Sequence, residues 1–183
     1  MLQFWLILKQ QNTSYKMKKF KIEFKWAVIV SIIFLAWMTL EKQLGFHDEK
    51  IKWQMFFTML IIFPNFLLYY LALSDKKKNY YNGEMSWKQG FISGVVISFI
   101  VVIFSPITQF ITHEFITPNY FEKLITLSVE SKRLTLEEAK SYFNLTAYIW
   151  QSISGGLSFG IVIGAIVAYI LKPKTPVSTI KSN

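Results

Sequence analysis

Four apolar blocks, each close to the length of a bilayer core, run through the chain, and most of its charge lies between them. A hydrocarbon layer of about 30 Å requires about 20 apolar residues at a rise of about 1.5 Å each. The first block runs from Trp26 to Leu40. Phe20, Ile22 and Phe24 lengthen it while Lys21 and Lys25 snorkel to the headgroups. The second runs from Met55 to Leu73 with Pro64 and Asn65 near its centre, the third from Phe91 to Ile111, and the fourth from about Ala147 to Leu171. In lipid such blocks are helical, because an open sheet edge leaves backbone groups unsatisfied. The alternation of a barrel strand is absent. The fold expected is therefore all-α: an integral membrane, antiparallel four-transmembrane-helix bundle. Its spans fall at about 22–44, 53–73, 90–112 and 147–171.

The basic residues divide unequally between alternate connections. Lys9, Lys16, Lys18, Lys19, Lys21 and Lys25 precede the first span; Lys76, Lys77, Lys78 and Lys88 follow the second; Lys172, Lys174 and Lys181 end the chain. That places 13 of the 20 basic residues and only three of the 11 acidic ones on one side. Cytoplasmic loops carry the excess of Lys and Arg, so both termini are expected in the cytoplasm. The net charge of +9 is then a mark of topology, and nucleic acid is not an expected partner. A basic segment before an apolar run also resembles a signal peptide. No small-residue cleavage site follows Leu40, so the block reads as a retained anchor. Residues 1–16 look like an over-extended start or a flexible segment before Met17. The membrane domain is expected over 17–172, with a tail at 173–183.

The chain has no cysteine, which excludes disulfides, thiol nucleophiles and Cys-ligated metals. With two histidines in total, a three-ligand metal site would need carboxylates, and neither a metal nor a cofactor is expected. No Ser–His–Asp pattern, phosphate-binding glycine loop or HExxH motif is present.

Between the third and fourth spans, Asn119 with Glu122 and Thr135 with Glu138 have the spacing of helix capping boxes. They predict two short external amphipathic helices, roughly 119–131 and 135–144, lying on the membrane surface or capping the bundle. Asn144-Leu145-Thr146 matches a glycosylation tripeptide, a pattern too short to carry weight. In the connection after the second span, Lys76, Lys77 and Lys78 beside Tyr80 and Tyr81 admit two readings: anionic headgroup binding, or a determinant of orientation alone.

Small residues recur every four positions at Ser152, Gly156, Gly160, Gly164 and Ala168, and again at Gly90, Gly94 and Ser98. Helices in lipid associate through close backbone approach at such residues. The two stripes are expected to pack spans three and four together, or to mediate dimerisation. Polar residues near the spans are Glu41, Asn65, Gln109, His113, Glu114 and Gln151. In a compact bundle they define a candidate polar pocket at the external end, with Asn65 beneath it. The alternative is structural: charges meeting water at helix ends, Asn65 serving the carbonyls freed by Pro64, and Gln109 bonding Gln151. Pro64 and Pro106 are both expected to kink their helices.

The segments MKKFKIEFKW, EKQLGFHDE, YYNGEMSWKQGFISG and SPITQFITHEFITPNYFE resemble an uncharacterised bacterial membrane family, domain-of-unknown-function family 4199. The resemblance runs from Met17 to about Lys172. It implies a four-span inner-membrane protein and brings no catalytic residue with it. Taken together, the residues point away from an enzyme. They point to a membrane protein that contacts lipids and binds a protein partner or its own copies, or organises local lipid. The alternative is a small oligomeric transporter or channel subunit for an ion or small solute.

Overall fold

The computed structural model describes the backbone of residues 2–173 and the side chains of residues 20–173. The expected tail therefore lies outside the described residues from 174 onward. Among the described residues the secondary structure is helical throughout: α1 (Leu2–Gln43), α2 (Gln54–Met59), α3 (Ile62–Asn79), α4 (Trp87–Ile111), α5 (Tyr120–Glu130), α6 (Leu136–Tyr142) and α7 (Leu145–Leu171). A 3-10 turn at Ile51–Trp53 precedes α2, and a π-helical turn at Thr112–Ile116 extends α4.

Four stretches are long and apolar enough to cross a membrane: Phe20–Gln43, Ile51–Asn79, Trp87–Ile116 and Leu145–Leu171. Their outer faces carry large exposed apolar side chains, among them Ile32, Phe63, Phe99 and Val162. In water this would be an aggregating surface; in lipid it is the contact with acyl chains.

α4 is the central element, packing chiefly on α7 and α1. Its seam with α7 is built from the small-residue stripes. A Cβ on Gly94 would meet the Cα of Gly164 at 2.9 Å, and one on Gly90 would meet the Ala168 Cβ at 3.0 Å. Further along, Gly160 faces Ser98 and Gly156 faces Val102. The numbers ascend on one helix as they descend on the other. The Gly160 face also makes room for a hydrogen bond: Tyr69 Oη lies 2.8 Å from Ser98 Oγ. Ser98 itself donates to the Gly94 carbonyl at 2.9 Å, so the tyrosine hydroxyl is the donor between them. Tyr69, Leu73, Ile97, Ile163 and Val167 fill the core around it.

The two prolines act differently. The break in the second span falls at Leu60–Ile61, upstream of Pro64, which sits in the first turn of α3 where a helix has spare N–H positions. The Leu60 carbonyl, which Pro64 cannot serve, accepts from Phe63 N at 3.1 Å instead. Pro106 lies inside α4 without ending it. The carbonyl it strands, that of Val102, accepts from the Ser105 hydroxyl at 2.9 Å.

Capping follows the sequence in one of the two predicted cases. Thr135 and Glu138 form a complete capping box at the start of α6. Asn119 is in the N-cap position of α5, but its side chain makes no capping bond. Two further caps went unread in the sequence: Ser86 with Gln89 begins α4 with a full box, and Asn144 begins α7 by accepting from Ala147 N. The second of these gives Asn144 a structural role inside the glycosylation-like tripeptide.

Candidate functional site: two buried polar clusters

The buried face of α1 includes Glu23, Ala27, Val30, Ser31, Met38 and Glu41. Glu23 and Glu41 are about five turns apart on it, so the helix carries a carboxylate to each end of the bundle on the same stripe. Each anchors a cluster.

At the first end, Lys76 Nζ on α3 lies 2.9 Å from Glu23 Oε1. The Ser93 hydroxyl on α4 donates to the same carboxylate at 2.9 Å. Three helices are thus tied at one buried point. The Lys76 ammonium also stands 3.8 Å from the centre of the Tyr80 ring, a cation–π geometry. Lys76 is therefore an internal residue and contradicts its reading as a headgroup ligand. Lys77 is committed too, donating to the Leu171 carbonyl at 2.8 Å. Lys78 remains exposed. Beside the cluster, Asp75 accepts from Lys25 and from the Trp26 indole.

At the second end, Glu41 is completely buried. Its carboxylate accepts from the Trp37 indole at 2.6 Å, from His47 Nε2 at 3.0 Å and from Gln54 Nε2 at 3.3 Å. A carboxylate only accepts, so His47 carries its proton on Nε2. Gln54 in turn accepts at Oε1 from the Tyr120 hydroxyl, 2.8 Å away. Tyr120 is the one buried residue of α5. Burial pushes its phenol far above the usual range, with Tyr148 and Glu41 adding to the rise, so it stays a donor. Its ring lies 5.1 Å from that of His47 and 5.5 Å from that of His113, centre to centre.

His113 continues the chain on α4's π-helical turn. Ser152 donates to the Tyr148 carbonyl at 2.8 Å and accepts from Gln109 Nε2. That fixes the Gln109 amide, whose oxygen then accepts from His113 Nε2 at 3.1 Å. The ring of His113 stacks on Phe121 at 4.2 Å. Both histidines are left with a buried Nδ1 that has no hydrogen-bond partner among the described residues.

Of the six expected pocket residues, Glu41, Gln109 and His113 are drawn into this buried cluster. Glu114 and Gln151 are exposed, and Asn65 is half-buried. Gln109 pairs with Ser152, one position beyond the expected Gln151. Among the cluster's other members, His47 and Gln54 carried no periodic signal, because they sit in or beside turns, and Tyr120 stood on the expected apolar face of the first short helix with nothing to say what it meets. Among the described residues, no group of three or more His, Cys, Asp or Glu side chains is arranged to hold a metal ion. At the rim, Asp48 accepts from Lys42 at 2.7 Å and from Lys123 of α5. These two ammonium groups hold its carboxyl below the usual range. An open groove of about 480 Å³ runs between Asp48 and α5, bordered by Asn119, Glu122, Thr126 and Glu130.

Four apolar helical stretches with internally paired polar clusters define a multi-pass membrane protein. The chain belongs to the family described as protein of unknown function DUF4199, whose model matches residues 25–173. No curated protein and no solved structure matches it.

Proposed function

We propose that this is a non-enzymatic protein of the bacterial inner membrane that binds a protein partner through the α5 side of the bundle. In this reading the four spans form an antiparallel bundle with both termini in the cytoplasm, and α5 and α6 are external. The excess of basic residues at the Lys76 end supports that orientation. α7 supports the spanning placement, though not its direction: its exposed Trp150 and Tyr169 stand about 28 Å apart along the helix. That is close to the separation of the two interfacial belts where amphipathic rings gather.

The observation that carries the functional reading is the contrast between the two kinds of polar group. Buried ones are bonded to one another: Tyr69 to Ser98, Gln109 to Ser152 and His113, Glu23 to Lys76. Polar groups left open include those of the groove along α5, with Glu122 and Glu130 exposed. A transport route needs polar groups facing a cavity, whereas a docking surface needs them facing out. A photo-crosslinking residue placed at Thr126 is expected to capture one stoichiometric protein in living cells, and one at lipid-facing Ile103 is not. Capture from neither position, together with solute flux in proteoliposomes that is lost on substituting Asn65, would establish the transport alternative. An impermeant reagent is expected to label position 119 and not Lys77 in whole cells; the reverse pattern inverts the orientation.

A further inference from the structure

The geometry points to α5 as an acid-released cap: protons taken up by the buried His47–His113 pair undock α5 from the Glu41 cluster. α5 is held at two places. One is Tyr120 with Phe121: the Tyr120 ring lies 5.1 Å from that of His47 and 5.5 Å from that of His113, its hydroxyl bonds Gln54, and Phe121 stacks on His113 at 4.2 Å. The other is the Lys123–Asp48 contact at the rim. Both imidazoles already use Nε2, His47 on Glu41 and His113 on Gln109. Each therefore has one place left for a proton, and that is the buried, unpartnered Nδ1.

The groups around the pair decide what a proton does there. α1 presents Glu41 and Trp37, α2 presents Gln54, α5 presents Tyr120 and Phe121, and α7 presents Tyr148. Glu41 is the one carboxylate in contact, and it balances a single charge. Two imidazolium rings facing one carboxylate leave a buried positive charge in an aromatic shell, and burying an unbalanced charge is costly. Lifting α5 removes Tyr120 and Phe121 and lets water reach both Nδ1 atoms. The open form therefore binds the second of the two protons better than the closed one, and by linkage acid favours opening. The rim does not share this response: Lys123 and Lys42 hold the Asp48 carboxyl below its usual range, so it keeps its charge between pH 5 and 7.

The full chain in lipid nanodiscs, followed by hydrogen exchange, tests this. Protection of the 120–130 amides, corrected for intrinsic exchange, is expected to fall from pH 7 to pH 5, by up to about tenfold per unit for each proton linked to opening. The amides of α4 and α7 keep theirs. The double substitution H47Q/H113Q, which retains hydrogen-bonding capacity without titration, is expected to abolish the pH step. Unchanged α5 protection in the native chain overturns the proposal. So does loss of protection shared by α4 and α7, or a pH step that survives in H47Q/H113Q.

Discussion

Lys76 and Glu23, on helices α3 and α1, form an ion pair 2.9 Å long with each side chain 2% exposed. Removing charges of this kind from water is expensive, and the pair persists because Ser93 and the Tyr80 ring add further contacts. Deleting one partner strands the other, at a typical cost of about 3–5 kcal/mol. Lys76→Met is therefore expected to lower unfolding stability strongly in detergent. The double substitution Glu23→Leu with Lys76→Met should recover most of the loss, because it removes both charges. Equal destabilisation by the single and double variants would show that neighbouring contacts, and not the stranded carboxylate, dominate.

Asp48 gives a pH dependence of a different kind. Its hydrogen bonds to Lys123 and Lys42 set its pKa below the ordinary value of 3.8. A carboxylate with a depressed folded pKa stabilises above its unfolded pKa, and the contribution is lost as pH falls through the folded one. Its hold on α5 is thus constant between pH 5 and 7. Asp48→Asn is expected to lower α5 protection equally across that range and to leave the histidine-linked step in place. High salt should mimic the substitution, since the partners are partly exposed and screened.

The spans and their closest seam were legible because both rest on one-dimensional patterns. Apolar length located the spans, and four-residue spacing singled out the small residues of the seam, while the pairing of Gly94 with Gly164 and of Ser98 with Gly160 took the structure to show. Glu23 and Lys76 were not legible. Each sits among other lysines whose count suggested a solvated flank, and only three-dimensional packing decides which charge turns inward. Glu23 did carry a faint signal, standing four residues before buried Ala27 and about five turns before Glu41 on one helical stripe. The Glu41 cluster was half legible. Glu41, Gln109 and His113 stood out as polar residues near span ends. His47, Gln54 and Tyr120 reach them from turns and from α5, across sequence separations that no period encodes.

Asn144 is the cap of α7, its side chain accepting from Ala147 N at 2.9 Å. Loss of such a cap costs typically about 1 kcal/mol. Asn144→Ala is expected to destabilise by about that amount and to raise hydrogen exchange in the first turn of α7. Asn144→Asp keeps the acceptor but, like Ala, loses the amide's donation to the Lys140 and Ser141 carbonyls at 3.0 and 2.8 Å, so it should lose stability while leaving exchange in the first turn of α7 unchanged. First-turn exchange raised as much by Asp as by Ala would remove the capping explanation.

Gly155 and Gly160 lie on the same helix and differ in what surrounds them. A Cβ at Gly155 meets nothing within 4 Å, whereas one at Gly160 collides with Ser98 Oγ and Tyr69 Oη. In a helix, Gly→Ala by itself gains up to about 1 kcal/mol through reduced backbone freedom. Gly155→Ala should show that gain or no change. At Gly160 the added methyl must displace the Tyr69–Ser98 hydrogen bond or push α7 off α4. Overpacking of that sort costs about 1–3 kcal/mol, so the net effect is a loss. A second comparison separates the two routes. If the methyl acts by breaking the hydrogen bond, Tyr69→Phe, which removes the hydroxyl, should restore room and relieve much of the Gly160→Ala defect. If it acts by forcing the helices apart, Tyr69→Phe leaves the defect intact, and Gly94→Ala, whose Cβ would meet the Gly164 backbone at 2.9 Å, should be comparably damaging. Thermal unfolding of the four variants in one detergent distinguishes these outcomes. Equal stability of Gly155→Ala and Gly160→Ala would show that the small-residue stripe does not set the distance between α4 and α7.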